Sequence, residues 1–445
     1  MSDIRLLRLN RDGQEVTAAG IPWFVGLFGR DSLIPSLQCL AFDREMAVHT
    51  ARSLARRQGS RNDTKRHEEP GKILHELRVG EMANLGEIPQ TPSFASIDST
   101  VLFLILIARH AAWTGRLDLF NELRENVDRA LRWMAECGDR NGDGYIEYYG
   151  TTEKGAPVNQ GWKDSEDGIV REDGGFPEPP ISLVEVQGYV YLAKTGIADL
   201  YRRAGEAATA ERLIREAEQL RERFNYDFWM EDKGCYCLGL EGDGRRMSVV
   251  ASNAGQALWT GIADHDKALK TAQRLMQEDM FSGWGVRTLS NKEVRYNPLA
   301  YQLGSIWPFD NSLIWWGFAA TALTSSRAGS SAPPWTPQSG SRTAVCRSSS
   351  RGPSGNRVFL PPTVRAPTRC RRGQRGRCRL WLRSCSGSSR TDLMGSFGSC
   401  ARCSRSPSSM SSFTVSRLGA VPSTCGSSAR PGAASLPMFL LFKER

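Results

Sequence analysis

The sequence predicts an all-α fold, an α/α barrel or toroid, and three observations carry that reading. Nine segments before residue 326 repeat apolar residues at i, i+3 and i+4, the period of a helix with one buried face. The segments come in pairs joined by long loops, and the loops on one side concentrate Trp, Tyr, Asp, Glu and Gly. Alternating, strand-like runs are few. A solenoid would show a fixed repeat of roughly 30–45 residues, and none runs through these helices.

Taken in order, residues 20–30 form a glycine- and aromatic-rich entry. Helices then follow at 32–42 and 44–57, 97–114 and 117–137, 183–203 and 207–228, 252–261 and 265–277, and a last one at 311–324. The clearest is 117–137, where Leu117, Leu119, Leu123, Val127 and Leu131 face one way and Glu122, Arg124 and Glu125 the other. Asp98 and Asp118 stand where helix start signals belong. The apolar run Val101 to Ala108 is far shorter than the ~18 residues that mark a membrane span, so it reads as core helix. Residues 234–240 alternate weakly, and 284–289 could form a short strand.

The 445 residues suffice for two or three domains, but the average composition conceals two kinds of sequence. Residues 1–325 carry 38 Lys and Arg against 46 Asp and Glu. Residues 326–445 carry 20 against two, so the formal charge of +10 arises from this stretch alone. A mildly acidic body excludes nucleic acid and anionic lipid as its partners. Cys39, Cys137, Cys235 and Cys237 are too few to frame a body of this size with disulfides. The charged N-terminus MSDIRLLRLNRDGQEV has no apolar signal region, so a reducing, cytoplasmic setting is expected.

The last stretch, with 26 Ser and almost no acid, keeps no helical or alternating period. It is expected to be a disordered tail, because it cannot bury enough apolar surface to offset ordering entropy. An Arg/Ser-rich RNA-binding tail is one reading. A shifted reading frame in GC-rich DNA is the other, and the seven scattered Cys with Trp335 and Trp381 favour it. The expected organisation is therefore a lead-in at 1–19, a partial helical domain at 20–325 and the tail at 326–445.

Six loops carry candidate chemistry. GIPWFVGLFGRDSLI (20–34) sets Trp23, Phe24 and Phe28 beside Arg30 and Asp31, which suits a sugar ring: its C–H faces stack and its hydroxyls meet charged groups. A core aromatic with a surface ion pair fits equally well. HEEPGKILHELR (67–78) offers His67, His75 and Glu76, but its spacing matches no zinc motif, and no metal is expected. In TPSFASIDST (91–100), Asp98 could cap a helix, line a site, or do both. DRNGDGYIEYY (139–149) opens like a Ca²⁺ loop, yet Gly150 stands where the twelfth-position Glu belongs, so a turn is expected. NQGWKDSEDGIV (159–170) groups Asp164, Glu166 and Asp167 after Trp162, and Glu185 opens the next helix. Clustered carboxylates raise one another's pKa, as a general acid requires. YNPLAYQLGSIWPFDN (296–311) sets Tyr296, Tyr301, Trp307 and Phe309 around Gly304 and Asp310. Aromatic rings with carboxylates point to neutral carbohydrate, and no phosphate loop or paired C-x-x-C competes.

The segments GIPWFVGLFGRDSL, TPSFASIDST, NQGWKDSEDG and YNPLAYQLGSIWPFDN resemble, in order, the bacterial amylo-α-1,6-glucosidase family, the glycogen debranching enzyme-like group of six-hairpin glycoside hydrolases. The resemblance runs from about Gly20 to Thr324. It implies an (α/α) six-hairpin toroid, here incomplete, inverting hydrolysis of α-linked glucan, and no cofactor. It places Asp164 as general acid with Asp167 as its neighbour and rival, and Asp310, at an acidic position of the W-P-x-D-N segment, as the one late carboxylate left as a candidate base. It implies that Trp23, Arg30, Asp31, Asp98, Trp162, Glu185 and Trp307 line the glucose subsite. The family's N-terminal β-sandwich has no counterpart here. Its Pro-Glu-Leu-Phe segment, whose Glu resembles a general base, is also missing as encoded. Codons for Cys346 to Ser350 can spell Pro-Glu-Leu-Phe when read two bases along, in keeping with a shifted frame. A protein with these aromatic subsites but no base would bind carbohydrate without cleaving it, and an unclosed ring would fold poorly.

Overall fold

The computed structural model describes residues 2–22, 24–85, 87, 91–150 and 157–327. The expected tail beyond Arg327, and Trp23, lie outside the described residues.

Among the described residues nine helices carry the fold: α1 (Gly29–Cys39), α2 (Arg44–Ala55), α3 (Asp98–Thr114), α4 (Arg124–Glu136), α5 (Val184–Arg203), α6 (Ala207–Asp227), α7 (Asn253–Leu258), α8 (His265–Leu275) and α9 (Pro308–Arg327). Each matches one of the nine periodic segments. Short helices at Ser2–Leu6, Glu81–Asn84 and Asp118–Glu122 lie outside this series. Odd-numbered helices pack on one another in sequence, α1 on α3, α3 on α5, α5 on α7 and α7 on α9. Even-numbered helices pack outside them, α2 on α1 and α3, α6 on α5, and α8 on α7 and α9. This inner-and-outer alternation is the (α/α) toroid expected from the sequence.

Composition explains which helices go inside. In α3 every residue from Asp98 to Ala108 is buried, as an all-round apolar helix demands. The outer α4 buries only Val127, Ala130, Trp133 and Met134, and α6 likewise buries a single stripe. Burying a large aliphatic or aromatic side chain is worth roughly 1.5–3 kcal/mol, so the apolar inner helices supply most of the core.

Two-residue strand pairs fix the chain just ahead of two inner helices. β3 (Leu27–Phe28) pairs with β4 (Glu76–Leu77) and runs straight into α1. β5 (Ser182–Leu183) pairs with β8 (Gly239–Leu240) and runs into α5. A third pair, β6 (Trp229–Met230) with β7 (Cys235–Tyr236), follows α6.

The structure corrects several boundaries. The first helix begins at Gly29 rather than residue 32, so Arg30 and Asp31 fall in its first turn. Gly29 is needed there, since a Cβ would stand 2.2 Å from the carbonyl oxygen of Leu74 and 2.6 Å from Ser99 Oγ. The 117–137 helix breaks at Leu123, where ψ turns to 19°. The last helix starts earlier, with Pro308 in the first position, where its missing N–H costs nothing. Residues 1–19, expected only as a lead-in, include the antiparallel hairpin β1 (Arg8–Arg11) and β2 (Gln14–Thr17). Its Asp12–Gly13 turn has both φ angles positive, a hairpin signal present in the sequence but not used. Residues 284–289 form only isolated bridges at Val286 and Leu289.

Candidate active site

Four inner helices place a carboxylate in their first turn: Asp31 on α1, Asp98 on α3, Glu185 on α5 and Asp310 on α9. A helix N-terminus favours negative charge by ~0.3–1 kcal/mol, which suits these positions without deciding their protonation.

Arg30 organises the first half of the site. Its buried guanidinium donates to Asp98 Oδ2 at 2.8 Å, to the carbonyl oxygen of Gly161 at 3.1 Å and to Asp164 Oδ2 at 3.2 Å. Burial alone would lower its pKa, but the charges of Asp98, Asp164 and Asp31 outweigh that and raise it. Asp98 does not cap α3. Ser96 takes that role, its hydroxyl accepting from Ser99 N at 3.2 Å and donating to Asp98 Oδ1 at 2.6 Å. The Asp98 carboxylate is thereby free to hold Arg30. Asp164 keeps 28 % of its side chain exposed, and its Oδ1 accepts from Gln302 Nε2 at 3.3 Å. Asp31 is half-buried. Desolvation raises its pKa against the pull of Arg30, and the nearby charges of Asp164 and Asp98 add to the rise.

The second half is more deeply buried. Glu185 is 1 % exposed, and neither carboxyl oxygen has a well-formed hydrogen bond, although the Asn253 amide lies beside it. Burial drives its pKa up. Lys163, also 1 % exposed, donates to the carbonyl oxygen of Thr288 at 2.6 Å. Burial lowers its pKa against the opposing charges of Asp310 and Glu185. Asp310 is fully buried and accepts from Gln256, which in turn accepts from the Tyr189 hydroxyl. Its pKa is pushed up to about 6 by burial. The two halves adjoin: a Cβ built on Gly161, whose carbonyl binds Arg30, would stand 3.5 Å from Glu185 Oε1, and the charge of Asp98 acts on Glu185.

Aromatic rings form one wall. Trp162 meets Trp307 edge-on at 6.1 Å between centroids and Phe309 at 5.1 Å. Tyr301 meets Trp307 at 4.8 Å, and Trp307 Nε1 donates to the carbonyl oxygen of Tyr301 at 2.8 Å. Tyr301 feels the charge of Asp164. Buried polar atoms with no well-formed hydrogen bond gather here too: Trp162 Nε1, both amide atoms of Asn253, Ser252 Oγ and Asp310 Oδ2. Such atoms are costly unless solvent or a ligand meets them.

Of the sequence-predicted residues, the structure brings together Arg30, Asp31, Asp98, Trp162, Asp164, Glu185, Trp307 and Asp310. Asp167 lies in the turn from Ser165 to Gly168, and no hydrogen bond or ion pair ties it to Arg30. Trp23 is outside the described residues. His75 was expected in a structural or substrate-lining role rather than on a metal. It lies buried against Phe28 with its pKa lowered to about 4, by burial first and by Arg30 second. Sequence reading missed Lys163, Gln256 and Gln302. Lys163 was adjacent to the singled-out Asp164, whereas the glutamines gave no local signal. Among the described residues no group of three or more His, Cys, Asp or Glu could hold a metal. A separate cavity of about 410 Å³ lies beyond Ile97 and Gln160, bordered by His67, Glu69, Trp133, Arg140 and Tyr149.

The chain resembles known proteins in keeping with this site. In fold it is similar to the crystal structure of GH63 mannosylglycerate hydrolase from Thermus thermophilus in complex with Tris and D-glycerate. That match has a TM-score of 0.50 and 14% identity, and covers 72% of this chain and 86% of that one. The same enzyme in complex with Tris alone matches at a TM-score of 0.50 and 13% identity, over 70% and 85%. A structure named sialidase matches at a TM-score of 0.40 and 16% identity, over 49% of this chain and only 19% of that one. No curated protein matches the chain. Residues 30–333 match the family model of the mannosylglycerate hydrolase MGH1-like glycoside hydrolase domain. The chain therefore belongs to the MGH1-like glycoside hydrolases.

Proposed function

We propose that the protein is an inverting α-glycosidase of the amylo-α-1,6-glucosidase type, acting on α-linked glucan with Asp164 as general acid. The observation that carries this reading is the meeting of Arg30, Asp98 and Asp164 beside the Trp162–Trp307 wall at one end of the inner helices. Asp164 is the partly exposed carboxylate of that group, so a glycosidic oxygen can reach it. One guanidinium faces three carboxylates, Asp31, Asp98 and Asp164. Of these, the Asp31 carboxyl is held above the usual carboxylate range by desolvation, and the charges of Asp164 and Asp98 add to the rise.

In the reaction Asp164 gives its proton to the leaving oxygen while water attacks the opposite face of the sugar. The base that activates this water stands ~6.5–9.5 Å from the acid. Asp310 is fully buried and tied to Gln256. We assign it the support of Lys163 and α9 rather than contact with water. The segment matching the family-type base, residues 346–350, lies outside the described residues and holds no carboxylate as encoded. Trp307 and Trp162 supply the stacking surface, and Glu185 with Asn253 offers buried acceptors and donors for sugar hydroxyls.

A second reading has its own support. The matching family and two structural neighbours carry the name mannosylglycerate hydrolase, one of them in complex with D-glycerate. A panel of isomaltose, panose, maltose and mannosylglycerate, followed by NMR of the first-formed anomer, separates the two. Release of β-glucose from an α-1,6 link supports the first reading. Cleavage of mannosylglycerate alone sinks it in favour of the second, and retained configuration sinks the inverting mechanism.

A further inference from the structure

The segment from Trp162 to Ser165 has no helix or strand to hold it, yet it carries both the aromatic wall and Asp164. Arg30 holds Asp164 Oδ2 and Asn159 Nδ2 donates to the carbonyl oxygen of Ser165 at 2.7 Å, but Gln302, far along the chain, binds three of its four residues. Gln302 Nε2 donates to the carbonyl oxygen of Trp162 at 2.9 Å and to Asp164 Oδ1 at 3.3 Å, and its Oε1 accepts from Ser165 N at 3.0 Å. The side-chain amide thus spans the segment, binding the backbone on both sides of Asp164 and the carboxylate itself. Gln302 is 1 % exposed. Its own loop is fixed, since Asn297 N donates to the carbonyl oxygen of Leu303 at 2.8 Å and Gly304 N to Thr288 Oγ1 at 2.8 Å. The same Thr288 receives Lys163, whose Nζ donates to its carbonyl oxygen at 2.6 Å. The fit is close: a Cβ on Gly168 would stand 3.0 Å from Gln302 Oε1.

We propose that Gln302 is a positioning residue that sets the reach of the Asp164 carboxyl toward the bound glycoside. The chemistry calls for glutamine. Glutamate lacks the donors for Trp162 and Asp164, leucine lacks both donor and acceptor, and asparagine is one methylene short. This inference rests on the reading of Asp164 as the acid, and its test separates the two.

The full chain and its Gln302→Leu, Gln302→Asn and Asp164→Asn variants are compared on two substrates. Isomaltose needs protonation of its leaving oxygen, whereas α-glucosyl fluoride does not. Gln302→Leu should lower kcat on isomaltose about 100-fold, the scale of a one-ångström misplacement, with KM little changed and the fluoride nearly unaffected. Asp164→Asn should show the same selectivity more strongly, and Gln302→Asn should fall between parent and leucine variant. Equal losses on both substrates overturn the proposal and leave Gln302 a residue of the fold alone. Calorimetric binding gives a readout without turnover. Cationic 1-deoxynojirimycin should lose affinity in Gln302→Leu while neutral D-glucose does not, and parallel losses again overturn the proposal. If the parent binds neither ligand and cleaves neither substrate, the reading of Asp164 fails first and takes this inference with it. Should the leucine variant not fold, Gln302→Asn carries the same comparisons.

Discussion

Two acidic clusters meet at one end of the helical ring, and their surroundings differ. In the first, Asp98 and Asp164 have a hydrogen-bond partner at every carboxyl oxygen, and Asp164 reaches solvent. In the second, Glu185 and Asp310 are enclosed with Lys163, and three of their four carboxyl oxygens have no well-formed hydrogen bond. A carboxylate that is paired and open can exchange a proton with a substrate. One that is enclosed bears the desolvation cost of its charge and gives up its proton only at higher pH, so it is the poorer partner for a leaving oxygen. On the proposed reading, exposure alone divides equal residue types near one another into chemistry and support.

The strongest way to break this division is to remove one acid from each cluster. Asp164→Asn should lower kcat by ~10²–10⁴-fold, the usual worth of a general acid, whereas Asp310→Asn should change it far less once stability is matched. Similar losses from both would erase the distinction, as read by steady-state kinetics on the best substrate of the panel.

Next in size is the pairing itself. Arg30→Met leaves Asp98 buried with its charge uncompensated, and breaking such a pair costs ~3–5 kcal/mol. Urea unfolding should register it. A loss below ~1 kcal/mol would mean that the first cluster is not held together by Arg30.

The enclosed cluster sharpens the contrast through pH. The pKa of Asp310 in the folded protein is about 6, raised from 3.8. The folded state therefore binds the proton more tightly than the unfolded chain. Stability from this group is fully present below pH 3.8 and is lost as pH rises through about 6. At ~1.4 kcal/mol per unit the loss amounts to roughly 3 kcal/mol. Melting curves from below about pH 4 to about pH 7 should fall more steeply in the parent than in Asp310→Asn. Parallel curves would show that Asp310 does not carry this proton.

The smallest effect belongs far from either cluster. Arg52 and Glu122 pair on the outside at 2.7 Å with both side chains exposed, and Arg52→Ala should cost less than ~1 kcal/mol in the same urea experiment. A larger cost would mean that the outer rim matters as much as the inner end.

Much of this architecture was legible in the sequence. Helix periodicity is a local property set by residues three and four apart, so all nine helices could be read directly, as could the loops joining them. Seven aromatic and acidic residues of those loops, with Arg30, are ones that the structure gathers at the candidate site. Local signals also misled where tertiary contacts overrode them. Asp98 looks like a helix cap, but Ser96 two residues earlier does that work because Arg30 claims the carboxylate. Residues 117–137 read as one helix, and a break at Leu123 divides them.

What the sequence by itself determined was the helical class, the alternation of loops, and the residue types gathered at their ends. Only the tertiary structure decided which carboxylates are paired, which are enclosed, and which glutamine holds the segment between them. Arg30 meets Asp98 across 68 positions and Asp164 across 134, and Gln302 meets Asp164 across 138. Contacts over such separations leave no period in the chain. They exist because packing the apolar inner helices against one another brings their polar first turns to a single place.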